Sequence, residues 1–185
     1  MTTTLFRRAP RVLAALALVA AAGCAAYSWR PEIPADARTV AVPAFRNDSD
    51  ITEFGDILTR QILREIQRDG VFRIAAPGEA AIEIQGSVAN ASSHTVAYER
   101  RTGARNREHA FSAVAKASFI DRRSSKVLAD GRKYKGRTTF LSNDDVLTGE
   151  RDASGRLAED IARQIADDLL DLVSAPRGGA GKKEE

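Results

Sequence analysis

The only cysteine of the chain, Cys24, directly follows a segment that has the features of a secretion signal. Three arginines precede an apolar run over residues 12–22, and small residues lead up to the cysteine. That run is about half as long as the roughly 20 apolar residues a transmembrane helix needs. We therefore expect residues 1–23 to be removed, so that the remaining chain folds without any internal disulfide.

The residues around Cys24 resemble a lipobox, in which the cysteine thiol takes a diacylglycerol and the new amino terminus is then acylated. An ordinary secretory site ends in small residues and makes no demand for a cysteine at this position. More than one acyl chain gives stable attachment, because each buried methylene contributes about 0.8 kcal/mol. The sequence therefore predicts lipidation at Cys24, with an ordinary secreted protein as the alternative.

The net charge of the chain depends on the predicted leader. The formal charge is +3, and residues 1–23 contain three arginines and no acidic residue. The remaining chain therefore has 25 basic and 25 acidic residues. A general affinity for nucleic acid is not expected of such a balanced chain.

The first half of the remaining chain predicts a strand followed by an amphipathic helix. Residues 39–45 alternate as a strand does, and Pro43 places its end or a sheet edge near that point. Asp50 and Glu53 have the spacing of a capping box, and Gly70 offers a C-cap. The apolar stripe between them consists of Phe54, Leu58, Ile62 and Ile66.

The second half predicts further strands and a second helix. Extended runs at 71–75, 82–88 and 111–120 precede a polar turn at 121–126, after which a last strand continues to Phe140. An antiparallel hairpin around that turn brings Arg107 roughly opposite Phe140. The final helix is predicted from about residue 156 to 173, with an apolar side formed by Leu157, Ile161, Ile165, Leu169 and Leu172.

These elements predict one α+β domain in the order β-α-β-β-β-α. Since each helix is apolar on one side only, the simplest arrangement is a two-layer sandwich with both helices on one face of a mixed four- to five-stranded sheet. We expect a signal peptide at residues 1–23, an extended tether at 24–38, the domain at 39–173 and a disordered tail at 174–185.

No motif in the sequence indicates catalysis. The two histidines, His94 and His109, are fifteen residues apart in polar surroundings and fit no metal-ligand spacing, so both are predicted to be ordinary surface residues. The chain contains no nucleophile elbow and no phosphate-binding glycine loop after a strand. The sequence therefore predicts a protein that is not an enzyme, with no metal and no cofactor.

Basic residues crowd two parts of the predicted sheet. One group lies in the expected loop between two strands and the other in the last strand, so that they run along one hairpin. Arginine and lysine there suit phosphate groups, although charges also simply protect exposed loops and edge strands. The candidate binding residues are Arg100, Arg101, Arg105, Arg107, Arg132, Lys133 and Lys135.

Several segments together resemble the lipopolysaccharide-assembly lipoprotein family LptE, in its divergent form outside the enteric bacteria. They are GCAAY at 23–27, VAVPAFRN at 40–47, LTRQILREI at 58–66, AIEIQGSV at 81–88, FID at 119–121 and KVL at 126–128. The strand ending at 43–47 is also similar to lipoproteins of curli secretion and of cell-wall synthase activation. The resemblance covers most of residues 23–173.

The resemblance to LptE implies a lipoprotein at the periplasmic face of the outer membrane. Members of this family sit inside a large β-barrel partner, LptD, help it assemble and assist delivery of lipopolysaccharide to the cell surface. The alternative is a lipoprotein of another class, such as a cell-wall synthase regulator or a curli-type secretion component. A pore former is disfavoured, because residues 100–107 are too charged to face lipid.

Overall fold

A computed structural model describes residues 33–101, 104–142 and 146–174. The predicted signal peptide and Cys24 therefore lie outside the described residues. A short 3-10 helix, Ala35–Ala37, precedes the main elements. These are β1 (Thr39–Ala41), β2 (Arg46–Asn47), α1 (Phe54–Asp69), β3 (Arg73–Ile74), β4 (Ile82–Arg101), β5 (Ala104–Asp121), β6 (Lys126–Ser142) and α2 (Val146–Ser174).

The strands form one mixed sheet in the order β3-β1-β4-β5-β6. β1 is parallel to both β3 and β4, whereas β4, β5 and β6 follow one another as antiparallel neighbours. The short β2 also pairs with β4, in parallel, beyond the end of β1. The predicted α+β sandwich is confirmed, with six strands in place of four to five because the two-residue strand β2 was not predicted.

The core lies between the helices and one face of the sheet. Alternate residues of β5 point into it, including Phe111 and Phe119, and both are fully buried. The ring of Phe54 at the start of α1 meets Phe111 edge-on, with the ring centroids 5.5 Å apart. The buried stripes of the helices contain the predicted residues Leu58, Ile62, Ile66, Leu157, Ile161, Ile165 and Leu169.

The predicted capping box at the start of α1 is wrong, whereas the predicted end is confirmed. Glu53 occupies the N-cap position with a helical backbone and makes no side-chain cap hydrogen bond. The preceding turn is held instead by the Asn47 side-chain amide, which donates to the carbonyl oxygens of Ile51 and Thr52 at 2.8 Å each. Gly70 ends the helix with a left-handed φ of 64°.

The second helix begins at Val146, about ten residues before the predicted start. Two glycines and several polar residues make residues 146–155 unlike a helix in sequence. Burial explains the difference, because Ala153 and Ser154 are almost fully covered and a Cβ on Gly149 would lie 2.7 Å from the ring of Phe140. Packing against the sheet therefore outweighs the weak local preference.

The register of the β5–β6 hairpin also differs from the prediction. Arg107 lies opposite Ser142, and His109, not Arg107, lies opposite Phe140. The hairpin starts in the expected register around the turn, but two irregularities near Phe119 insert two extra residues in β6. Gly131, with a φ of 57°, lies within that irregular stretch. The bulges shift β6 by two residues relative to β5. Because this number is even, each residue of β6 beyond the bulges stays on the face predicted for it.

An ion-pair network fastens the start of the domain to the β5–β6 turn. The guanidinium of Arg123 pairs with Asp121 at 3.0 Å and also with Asp36 in the 3-10 helix. Burial alone would raise the pKa of Asp121, but hydrogen bonds from Arg123 and Ser124 lower it overall. The Arg38 guanidinium donates to the carbonyl oxygen of Ile33. The chain therefore enters the domain beside this turn.

A second pair lies next to this network. The buried carboxylate of Glu83 accepts hydrogen bonds from Arg122 at 2.8 Å and from Gln85 at 2.6 Å. These bonds lower the pKa of Glu83 below its usual value of 4.5. Its stabilising contribution is therefore fully present above that value and is lost as the pH falls through the lower pKa of the folded state.

Glu83→Gln is expected to lower the free energy of unfolding by about 1 kcal/mol at pH 7, because a charge-assisted hydrogen bond is replaced by a neutral one. The difference should vanish below the pKa of folded Glu83, where the parent carboxyl is also neutral. Urea unfolding across this pH range measures it. Glu79→Gln, at an exposed residue of the neighbouring loop, is the control and should leave the curve unchanged. An equal difference at acidic and neutral pH would contradict the assignment.

Candidate functional site

The face of the sheet turned away from the helices is open and carries basic side chains. On β6, Tyr134 is buried on the helix side, and a Cβ on Gly136 would lie 2.5 Å from Leu157. Lys133 and Lys135, which alternate with them, are exposed on the other side. The two lysines predicted as candidate binding residues therefore share this open face.

The basic face extends across β5. Lys116 is exposed and lies directly opposite Lys133, where the Cβ atoms of paired residues are about 5 Å apart. Like charges at such a pair destabilise a sheet. Within the described part of the chain, no carboxylate pairs with either lysine. The cross-strand pairs of this face are Lys116 with Lys133, Val114 with Lys135 and Ser112 with Arg137.

The neighbouring strand completes this face with small or neutral side chains. Ser87 of β4 lies beside Lys116, and Asn90 lies beside Val114. Neither side chain is large enough to cover the lysines, and the helices pack on the opposite side. We call the surface formed by Lys116, Lys133, Lys135 and Arg137 the basic face. Its unpaired positive charges suit an anionic group that approaches from solvent.

Arg132 is separate from the basic face, although it precedes Lys133 in sequence. Its guanidinium pairs with the Asp168 carboxylate of α2 at 2.7 Å, on the helix side of the sheet. The Tyr134 hydroxyl donates to the same carboxylate. Burial, with the hydrogen bond to Asp168, raises the pKa of Tyr134 far above its usual value of 10. This arrangement joins β6 to α2, and the Asp168 carboxylate neutralises the positive charge of Arg132.

The other predicted arginines lie in strands and not in the expected loop. Arg100 of β4 is opposite Arg105 of β5, and the β5 backbone at Arg107 is seven residues along β6 from Lys135. At about 3.3 Å per residue, that separation is roughly 23 Å. The side chains of residues 97–107 are outside the described part of the structure. The backbone positions therefore place the predicted arginine group and the predicted lysine group about that far apart, as expected for groups that run along one hairpin.

The family model of LptE, the lipopolysaccharide-assembly family, matches residues 37–171. This match includes every strand and almost all of α2. The chain belongs to the LptE family. The resemblance seen in the sequence segments is thereby confirmed, and a non-enzymatic accessory protein of lipopolysaccharide assembly is the corresponding class.

Solved structures are similar to this chain at low sequence identity. A protein from Helicobacter pylori, described as a neuraminyllactose-binding hemagglutinin homolog, has 10% identity and a TM-score of 0.50 over 77% of this chain and 88% of its own. A lipoprotein from Caulobacter crescentus has 16% identity and a TM-score of 0.49 over 74% of this chain and 92% of its own. None of the curated proteins matches the chain.

Within this LptE-family domain, Lys116 is a member of the basic face that was not predicted from the sequence. It is the single charge in the strand segment at 113–117, where small residues alternate. The alternation places it on the face opposite the buried alanines. Its proximity to Lys133 depends on the β5–β6 register, which the bulges alter. A lone lysine in an otherwise neutral segment of β5 is therefore the one signal that sequence offered.

The surface prediction for the histidines is wrong for one of the two. His94 is exposed, but His109 is 7% exposed and stacks on Phe140 with ring centroids 5.0 Å apart. The Thr95 hydroxyl lies 3.4 Å from its Nδ1. Among the described residues there is no cluster of three metal-ligating side chains, and no helix there is long and apolar enough to span a membrane.

Proposed function

We propose that this LptE-family protein is an outer-membrane lipoprotein, anchored by lipid on Cys24 at the periplasmic face. It occupies an LptD-like β-barrel, helps the barrel assemble and assists delivery of lipopolysaccharide to the cell surface. Family membership over residues 37–171 is the observation that carries this proposal. The lipobox-like segment before Cys24 and the compact two-layer domain support it.

The position of the tether is compatible with this role. Eight residues separate Cys24 from Ile33, a reach of at most about 30 Å. Ile33 lies beside the β5–β6 turn, because Arg38 bonds its carbonyl oxygen and Asp36 pairs with Arg123. The β4–β5 hairpin ends at the opposite end of the sheet. Lipid attached to Cys24 would therefore hold the turn end of the domain within about 30 Å of the membrane that contains the proposed barrel.

We further propose that the basic face binds phosphate groups of lipopolysaccharide. Its lysines are exposed and without carboxylate partners in the described structure, and Lys116 lies opposite Lys133 despite the repulsion. A bound phosphate would offset that repulsion. Arg100, Arg101, Arg105 and Arg107 stay candidate phosphate-binding residues at the far end of the hairpin, separate from the basic face. Arg132 contributes less, since Asp168 already neutralises it.

Reversing two charges of the basic face is expected to weaken lipopolysaccharide binding. Lys133→Glu with Lys135→Glu should reduce affinity at least about tenfold at low salt, because the lysines would then repel the phosphates they attract. The effect should shrink as salt rises, since exposed charges are screened. Binding of purified lipopolysaccharide to immobilised protein, titrated at low and high salt, measures both.

Arg60→Glu with Arg64→Glu provides the matched control, because both arginines are exposed on α1 and the change in net charge is the same. Equal loss in the two variants would mean that net charge alone governs binding. Unchanged affinity in the lysine variant would mean that these lysines only protect a sheet edge from pairing with other chains.

Depletion of the protein tests the cellular role. We expect loss of lipopolysaccharide from the cell surface and, in the undepleted strain, co-purification of an outer-membrane β-barrel with the tagged protein. Normal surface lipopolysaccharide with no barrel recovered would exclude the proposed role. A cell-wall defect in its place would favour the synthase-regulator alternative, and loss of secreted fibres would favour a curli-type component.

The anchor has its own test. Cys24→Ser is expected to move the protein from the outer-membrane fraction to the soluble periplasmic fraction, because the acyl chains supply the stable attachment. Fractionation with immunoblotting and incorporation of labelled fatty acid measure the change. An unaltered membrane fraction together with unlabelled parent protein would contradict lipidation at this residue.

A further inference from the structure

Charge is distributed unevenly between the two layers of the domain. β6 contains five basic residues and one acidic residue, whereas α2 contains three basic and seven acidic residues. α1 has three residues of each sign. Arg132 and Asp168 neutralise each other across the layers, which reduces each excess by only one charge. An anionic surface would therefore attract the sheet side of the domain and repel the side of α2.

The cations of the basic face stand in a row on a broad surface. Lys133, Lys135 and Arg137 alternate along β6 and are all exposed, so that neighbours are about 7 Å apart and the row is about 13 Å long. Lys116 widens the row on β5, because it lies opposite Lys133. The small neutral side chains beside them leave the surface open. A broad row of cations can contact many anionic groups at once, as a bilayer surface presents them.

Three carboxylates beside the basic face already have partners. Two of them form ion pairs with arginine, Asp48 with Arg46 at 2.9 Å and Glu83 with Arg122 at 2.8 Å. Asp130 accepts a hydrogen bond from the Ser118 hydroxyl at 2.7 Å. The positive charges of the basic face are therefore left for a partner outside the domain.

An exposed apolar side chain lies on the same side of the sheet. Leu141 is 70% exposed, and the alternation of β6 places it on the side of Arg137, about 13 Å farther along the strand. Its neighbour Phe140 points to the other side and is buried. A soluble anion gains nothing from an apolar neighbour, whereas a bilayer accepts cations at its headgroups and apolar side chains at the acyl boundary. The combination favours a bilayer over a soluble anion.

We propose that the basic face docks on the surface of a bilayer that contains anionic phospholipids, with α2 on the side away from the membrane. The docking goes beyond the proposed function, because it needs neither a barrel nor lipopolysaccharide. An acyl anchor on Cys24 would strengthen it by keeping the domain close to the bilayer, so that a weak attraction suffices. Lipopolysaccharide phosphates would compete for the same cations, and the basic face would serve one of the two ligands at a time.

Flotation with vesicles tests the docking without help from the anchor. The mature chain with Cys24→Ser, produced without residues 1–23, has no acyl chain. It should float with vesicles of phosphatidylcholine mixed with anionic phosphatidylglycerol, and not with phosphatidylcholine alone. Lys133→Glu with Lys135→Glu should weaken this binding at least about twentyfold at low salt, because each basic residue near an anionic surface contributes about fivefold. Added salt should weaken binding of the parent chain.

Arg60→Glu with Arg64→Glu on α1 gives the same change in net charge and should leave vesicle binding nearly unchanged. Equal losses in the two double variants, or no binding of the parent chain to anionic vesicles, would overturn the proposal. These vesicles contain no lipopolysaccharide, so the two proposals fail separately. A chain that binds lipopolysaccharide but not the vesicles would retain the proposed function and exclude bilayer docking.

The apolar contact has a matched pair of variants. Leu141→Gln should weaken binding to anionic vesicles at least about threefold, because its side chain would leave water on docking. Leu147→Gln on α2, at a residue that is 80% exposed, should leave binding unchanged. Equal binding by the two variants would contradict a bilayer contact at the end of the basic face and overturn the proposal.

Fluorescence quenching in the lipidated full chain tests the orientation. A fluorophore is attached to Thr139→Cys on the open side of the sheet or to Gln67→Cys on α1, both at exposed residues. Lipids with nitroxide-labelled headgroups should quench the label at residue 139 more than the label at residue 67 in anionic vesicles. The difference should disappear in neutral vesicles and in the Lys133→Glu, Lys135→Glu background. Equal quenching at the two positions in anionic vesicles would overturn the proposal.

Discussion

Phe54→Ala is expected to lower the free energy of unfolding by about 3–5 kcal/mol, the range found for loss of a buried phenylalanine. Phe54 is fully buried at the start of α1, and its ring meets Phe111 of β5 edge-on. Its removal leaves a cavity where the first turn of the helix meets β5. Since small domains are stable by only about 5–15 kcal/mol, this single change could remove much of the total. Urea unfolding followed by circular dichroism measures it.

Leu147→Ala is the control for this prediction, because Leu147 is also near the start of a helix but is 80% exposed. A change within about 0.5 kcal/mol is expected there. If Phe54→Ala lowered the free energy of unfolding by less than about 1 kcal/mol, the packing of this ring would not be what holds the start of α1 against the sheet.

The second large effect is expected at Gly86 in β4. A Cβ added to this residue would lie 2.2 Å from Cε1 of Phe45 and 2.6 Å from the carbonyl oxygen of Lys116. The aromatic ring has little room, since Phe45 is buried, and the carbonyl belongs to the paired strand β5. Gly86→Ala should therefore cost about 3 kcal/mol, the upper end of overpacking effects.

Gly155→Ala is the matched control and should have the opposite sign. Nothing lies within 4 Å of a Cβ at Gly155 in α2, so the replacement removes backbone freedom from the unfolded chain without a clash. A gain of about 0.5–1 kcal/mol is expected. Thermal unfolding of both variants compares them directly. If both glycines tolerated alanine equally, the close approach of Phe45 to β4 would be contradicted.

A double variant examines the cause of the Gly86 effect. Phe45→Leu replaces the ring that faces Gly86 with a smaller side chain. Gly86→Ala should therefore lower the free energy of unfolding less in that background than in the parent chain. The remaining cost would come from the Lys116 carbonyl oxygen, which side-chain substitution leaves in place. Strict additivity of the two changes would show that the ring is not the obstacle.

Periodicity in the sequence was sufficient to predict the two-layer arrangement and both helical stripes. Residues such as Leu58 and Ile62 recur with the helical period, and Ile82 and Ile84 alternate as in a strand, so each element has one apolar face that must be buried. The C-cap at Gly70 follows equally from local chemistry, because glycine adopts a left-handed backbone without strain. Such features depend on residues close in sequence and can be inferred from it.

The candidate site depended on the tertiary structure. Lys133 and Arg132 are neighbours in sequence, yet one belongs to the open basic face and the other pairs with Asp168. Strand alternation separates them, but only the position of α2 supplies the carboxylate. Likewise, Lys116 lies opposite Lys133 because two extra residues in β6 set the register. Local sequence does not fix that register, because the positions of the bulges depend on side-chain packing across the whole sheet.

The sequence by itself determined the order of the main helices and strands, which faces of them are apolar, and that Cys24 follows a lipobox-like leader. Only the tertiary structure decided the early start of α2, the burial of His109 against Phe140 and the pairing of β2 with β4. The physical reason is the range of the interactions involved. Periodicity and caps act over a few residues, whereas burial and strand pairing join residues distant in sequence, and their energies outweigh local preferences of less than about 1 kcal/mol.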